Sequence, residues 1–257
     1  MKVAAIYVAP VKSLRLSAVR RARVGPRGIE EDRRFFLVNE RGRLVTARDY
    51  PSLLRVAADY DVASNRLRLT FPDGAVVEGE PADGVGVTAR FFGKYDRRGV
   101  VTDGPFAEAL SSYAGVGERG GSLRLVRAVD LAQDGFPVSL VSTASVEKAR
   151  SQPGGEAIQE RHFRMNFYID GARPHEEDEW IGGPPVRIGG ATVSVQMRDE
   201  RCVMTTLDPD TGERGPNTLR VITSYRTDQP KEANFGVYAV VLEPGEVAVG
   251  DDVVVGS

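Results

Sequence analysis

The sequence predicts a mainly β protein, β-barrel-like, made of two β-rich domains with a few short helices. Its apolar runs are strand-sized, several alternate at period two, and turn residues bound nearly all of them. Only three stretches carry a helical pattern behind a plausible start. At 257 residues and 41% apolar content, the chain is long enough to bury a core as one large β domain or two smaller ones.

In the first half, residues 3–8, 35–38, 53–61 and 66–71 show apolar runs or alternation, with Ser64-Asn65 as the turn joining the last two. In the second half, strands are expected at 123–129, 138–141, 166–169, 186–195, 235–242 and 246–255. In the last, Val247, Val249, Val253 and Val255 are expected on one sheet face. The expected helices are 105–113, 144–150 after Ser142-Thr143, and 218–225 after Asn217. The flexible, polar Gly115-Val116-Gly117-Glu118-Arg119-Gly120-Gly121 suggests a boundary between domains at 1–120 and 121–257.

Composition excludes some functions. A net charge of −2 gives no general electrostatic argument for nucleic-acid binding. The opening apolar run breaks at Pro10 and Lys12, too short for a signal or spanning segment, so no membrane anchor and a cytoplasmic setting are expected.

Cys202 is the only cysteine. It cannot form an internal disulfide or supply a multi-cysteine metal site. A free cysteine is ordinarily a small buried hydrophobe. With Arg201 adjacent, it is also a candidate nucleophile, persulfide carrier or single thiolate ligand. Three polar clusters stand apart from the strands: Pro10-Val11-Lys12-Ser13; Glu31-Asp32-Arg33-Arg34 with Thr46-Ala47-Arg48 behind it; and Arg161-His162-Phe163-Arg164-Met165-Asn166. Lysine, serine, arginine and asparagine offer what a phosphate needs. Each cluster alone also reads as solvated loop charge, and nothing in periodicity brings them together. GxxxxGK[ST] and a strand-linked GxGxxG are absent. His162 and His175 are expected at the surface or in caps, Glu176-Glu177-Asp178-Glu179 as a solvated face, Trp180 in packing, and Asp208, Asp210 and Gly212 in a turn.

The order of these pieces resembles the MOSC family with its N-terminal β-barrel domain, most nearly the amidoxime-reducing components and their bacterial homologues. The N-terminal likeness rests on Pro10-Val11-Lys12-Ser13, Gly28-Ile29-Glu30-Glu31-Asp32-Arg33 and Thr46-Ala47-Arg48 with Pro51. The C-terminal likeness rests on Ser142-Thr143-Ala144-Ser145, Phe163-Arg164-Met165-Asn166, Glu177-Asp178-Glu179-Trp180, the run from Arg201-Cys202 through Thr205-Thr206 to Asp208-Pro209-Asp210-Thr211-Gly212, and Phe235-Gly236-Val237-Tyr238. It spans essentially the whole chain.

The resemblance implies a molybdopterin-type molybdenum cofactor with the Cys202 thiolate as its one protein ligand and as the catalytic cysteine. Lys12, Ser13, Arg33 and Arg164 would hold its phosphate, Asn166, Ser142, Thr143 and Ser145 would reach pterin heteroatoms or the phosphate, and Arg201 would favour the thiolate. Pyridoxal phosphate binding stays open. The implied activity is reduction of N-oxygenated compounds (N-hydroxylated amidines, hydroxylamines, N-oxides), with a separate redox protein as electron donor. The alternatives are sulfur transfer through a Cys202 persulfide and a non-catalytic cofactor carrier. The sequence departs from the family pattern at Glu200, which could pair with Arg201 or repel an anion, at Met165 and at Ala9.

Overall fold

The computed structural model describes residues 1–119, 121–129, 132–228 and 232–256. The mainly β architecture holds, with three α-helices among the described residues: Phe106–Tyr113, Thr143–Arg150 and Thr218–Tyr225. The last two start where capping residues stand. The Ser142 side chain accepts from Ser145 N, and Asn217 from Arg220 N.

An eight-stranded sheet runs, in spatial order, Val253–Val255, Val186–Ile188, Ala191–Glu200, Asn234–Glu243, Val138–Ser142, Phe167–Asp170, Lys2–Val8 and Ser17–Val19. Val138–Ser142 and Phe167–Asp170 pair in parallel, which the intervening helix Thr143–Arg150 makes possible. A five-stranded sheet orders Ala82–Phe91, Tyr95–Asp103, Leu123–Ala128, Phe35–Asn39 and Leu44–Val45. Two three-stranded sheets complete the fold.

These sheets do not divide at residue 120. Lys2–Val8 pairs with Phe167–Asp170, and Leu123–Ala128 pairs with Phe35–Asn39. Each half lends a strand to the other, so the loops after the shared strands meet at the junction.

Three expected elements differ. Residues 53–61 split into a 3-10 turn Pro51–Arg55, with proline near its start, and the strand Ala57–Asp61. Residues 186–195 turn back at Gly189-Gly190 into a hairpin. The run 246–255 breaks at Gly250 (φ 95°). Gly245–Ala248 pairs with Arg21–Gly25, while Val253–Val255 edges the large sheet. Val247 and Val253 are therefore buried, but Val249 is exposed. The hairpin Ala82–Phe91/Tyr95–Asp103 gave no sequence signal because glycines and charges interrupt its alternation. Among the described residues no helix is long and apolar enough to cross a membrane.

Candidate active site

The first two polar clusters are joined through backbone. Lys12 N–H donates to Phe35 C=O at 2.7 Å, Phe35 N–H to Pro10 C=O at 2.9 Å, and Arg33 N–H to Ala9 C=O at 2.9 Å. Asn166 ties in the third. Its amide donates to Tyr7 C=O at 3.3 Å and to Asp32 at 3.0 Å, and its oxygen accepts from Ser139 N at 3.2 Å and Ser139 Oγ at 3.1 Å. Both donors and both lone pairs of that side chain are thereby used. Asn166 positions the junction, with no donor left for a ligand.

Above this knot lies a cavity of about 700 Å³, counting its open mouth. Lys12, Arg33, Arg48, Arg164 and Arg201 line it against the carboxylates of Asp134 and Asp199. Ser13, Asn166, Gln133, Tyr238 and Cys202 also face it. Of the six non-glycine residues with positive φ among those described, four border the cavity: Ser13 (72°), Arg33 (48°), Phe92 (51°) and Arg164 (52°). Side chains avoid that conformation, and residues held in it gather where function over-determines the backbone.

The cations are not equivalent. Lys12 Nζ is buried, donates to Ala132 C=O at 2.9 Å and Asp134 at 2.5 Å, and its pKa is lowered by burial. Arg33 grips Asp32 with both contacts at 2.6 Å and reaches Arg164 C=O at 3.0 Å. Arg164 donates to Leu14 C=O at 2.7 Å and makes no ion pair among the described residues. Burial, and then Arg33, pull its pKa down to about 9. Asp32 and Asp134 offset part of this from beyond ion-pair distance, and an anion in the cavity would lower the remaining cost.

Cys202 stands at the mouth, half-buried, at the start of the 3-10 turn Val203–Thr206. Thr205 Oγ1 fastens that turn to Thr218 Oγ1 at 2.6 Å. Asp208 caps the next turn by accepting from Asp210 N at 2.9 Å and Thr211 N at 2.8 Å, and Arg161 holds Asp210 at 2.7 and 2.6 Å. Gly212 (φ 74°) closes against the first half, where a Cβ would stand 2.3 Å from Pro51 O.

Two family models account for most of the chain: the MOSC N-terminal beta barrel domain over residues 1–98 and the MOSC domain over residues 129–254. The chain belongs to the MOSC family. It is 27% identical to "Mitochondrial amidoxime-reducing component 1" of Mus musculus across 98% of this chain and 81% of that one. It is 28% identical to "Mitochondrial amidoxime reducing component 2" of Macaca fascicularis across 98% and 82%. A match at 24% to "Molybdenum cofactor sulfurase 2" of Culex quinquefasciatus covers 82% of this chain but 30% of that protein.

Some expected site residues of this MOSC protein lie elsewhere. Ser142, Thr143 and Ser145 do not border the cavity. Ser142 caps its helix, Thr143 donates to Asp170 at 3.2 Å, and Ser145 donates to buried Glu177 at 2.8 Å while accepting from His175 N at 2.8 Å. Arg201 lines the cavity, but its guanidinium is committed to Asp199 and Phe163 C=O. Asp199 is the carboxylate that neutralises it, while Glu200 is exposed. The cation on the thiol is Arg48, whose Nη2 lies 2.8 Å from Cys202 Sγ. Arg48, Asp134, Asp199 and Gln133 were not singled out as site residues. Only the position of Arg48, in a cluster placed by motif order, hinted at one of them. Of the two surface-or-cap readings for the histidines, the cap applies to both, and His175 is half-buried. His162 is buried and closes a capping box with Gln159, and His175 N-caps a 3-10 turn.

The MOSC cavity suits a phosphorylated, sulfur-rich cofactor. Gln133 Oε1 and Arg201 Nε are buried without a partner, Arg164 makes no ion pair among the described residues, and the soft sulfur of Cys202 lines the same cavity. Among the described residues no three His, Cys, Asp or Glu side chains converge as metal ligands. A metal at Cys202 would have to arrive with most of its ligands.

Proposed function

We propose that the protein is a molybdenum-cofactor-dependent reductase of N-oxygenated compounds, with the Cys202 thiolate as the one protein ligand to the metal. The observation that carries this reading is the pairing, in one cavity, of an accessible lone thiol with Arg164, a half-buried guanidinium that makes no ion pair among the described residues. The amidoxime-reducing names of full-length relatives support the reaction class. The cofactor supplies two-electron oxygen-atom chemistry. The chain binds and orients it: Arg164 and Lys12 as charge for its phosphate, Arg33 and Asn166 as the frame that holds them, and Gln133 as an acceptor for a ring N–H. Removing oxygen from an N–O bond as water also consumes two protons. Asp199 is the cavity acid whose pKa stands closest to neutral, raised to about 6 by burial against the pull of Arg201.

The electrons come from outside this sequence. One cysteine cannot hold an iron–sulfur cluster, and no C-x-x-C-H or flavin fingerprint is present. A small redox protein would dock transiently near the mouth. The cofactor-loaded protein should be inactive toward an amidoxime with NADH alone and turn over with reduced viologen. Activity with NADH in a flavoprotein-free preparation contradicts this arrangement. No turnover with any reductant, at full metal load, removes the reductase reading and leaves a carrier.

The likeness to a cofactor sulfurase favours a second reading, a persulfide carried on Cys202. Mass spectrometry of the freshly purified protein would show a sulfur adduct on that residue in place of bound metal.

A further inference from the structure

Arg48 sits in the turn that follows the strand Leu44–Val45. It is exposed, makes no ion pair among the described residues, and its guanidinium touches the Cys202 sulfur at 2.8 Å and the Phe92 ring at 4.9 Å. The adjacent carboxylate, Asp49, is already taken by Arg43 at 2.5 Å. Phe92 has an unusual place. It lies in the turn that closes the hairpin Ala82–Phe91/Tyr95–Asp103, where Lys94 N–H meets Phe91 C=O at 2.9 Å. Both central residues, Phe92 (φ 51°) and Gly93 (φ 71°), are left-handed. Turns of that kind select Asn-Gly or Gly-Gly, and an aromatic at the first position works against local preference. What the placement achieves is visible: the ring is within cation–π reach of both Arg48 and Lys12, whose Nζ is 5.9 Å from its centroid. The hairpin and the loop before Pro51 thus deliver a stacked guanidinium to the mouth, directly over the reactive sulfur.

We propose that Arg48, held by Phe92, is a selectivity residue that makes the mouth favour substrates bearing a carboxylate or similar anionic group beside the reducible N–O bond. The proposal rests on the reductase reading for its substrate, but not for its charge effect at the thiol. Stacking on the aromatic face fixes the guanidinium without neutralising it. Lys12 is matched to Asp134 and Arg201 to Asp199, whereas Arg48 touches the Cys202 sulfur and has no carboxylate within ion-pair distance among the described residues.

The test has two arms. In cofactor-free protein, Cys202 is alkylated with iodoacetate and with iodoacetamide. Both reagents consume the same thiolate and release iodide, so their rate ratio reports local charge and not the ionised fraction. Arg48→Ala should lower the iodoacetate-to-iodoacetamide ratio by about fivefold, the effect of one charge near 4 Å in a water-like medium. Arg48→Lys should restore part of it, and Phe92→Leu should lie between. In cofactor-loaded protein with reduced viologen, Arg48→Ala should raise the ratio of KM for para-carboxybenzamidoxime to KM for benzamidoxime, whatever it does to turnover of both. An unaltered alkylation ratio overturns the proposal. So does an equal loss on both substrates, which would make Arg48 a cofactor-positioning residue. If wild type turns over neither substrate, the reductase reading fails, and the alkylation ratio alone decides whether Arg48 selects anions.

Discussion

Arg164 concentrates the chemistry of this cavity in one side chain. Its backbone is left-handed, its side chain is half-buried, and Leu14 C=O accepts from its guanidinium. Lys12, a few residues before that carbonyl, is already compensated by Asp134. An incoming phosphate therefore gains more from Arg164 than from Lys12. Charge-assisted hydrogen bonds contribute about 1.5–3 kcal/mol, so Arg164→Ala should weaken cofactor retention by at least about tenfold, and Lys12→Ala by less. Pterin released from equal amounts of each variant, with circular dichroism unchanged, measures this; full retention by Arg164→Ala contradicts it. Motif order named Lys12, Arg33, Arg164 and Cys202, and the structure brings them into one cavity. It did not name Arg48 as a site residue, because a loop arginine looks the same in sequence whether it faces solvent or a thiol. It assigned Ser142 and Ser145 to the ligand, although Ser-x-x-Ser before an apolar turn is equally the signal of a helix cap.

At the level of elements, the segment Glu176–Trp180 departs most from its sequence reading. Four consecutive acids suggest a solvated face. Folded into a 3-10 turn, the segment instead buries Glu177 against Ser145 and sets Asp178 between Arg198 at 3.0 Å and Arg226. Arg198 stands on the strand Ala191–Glu200 and Arg226 caps a helix, partners too distant in sequence for composition to reveal. Burial raises the Glu177 pKa from 4.5 to about 7, and its Oε2 has no partner. The folded state thus holds a proton that the unfolded chain releases, and this group's contribution to stability declines as pH rises between those values. Glu177→Gln cannot ionise. Its stability relative to wild type should therefore increase from pH 5 to pH 8, by on the order of 2 kcal/mol. Urea midpoints of both proteins at the two pH values decide it. A constant difference would mean that Glu177 titrates normally.

For the whole molecule, fold class was legible and assembly was not. Strand-sized apolar runs follow from side-chain periodicity, and caps such as Asn217 follow from local hydrogen bonding, so both show in sequence. The exchange of Lys2–Val8 and Leu123–Ala128 between the halves depends on pairing across more than 80 residues, which no window of sequence contains. That exchange creates the cavity: it sets the loop after the first strand against the loop before Phe167–Asp170, and the end of Ala191–Glu200 places Cys202 above both. The central claim is that this junction holds a molybdenum cofactor through one thiolate. Molybdenum and pterin analysis of the protein purified from a cofactor-producing host, beside Cys202→Ser, tests it most directly. About one equivalent of each is expected in wild type, with the metal reduced or lost in the variant. Wild type carrying neither molybdenum nor pterin would contradict the account.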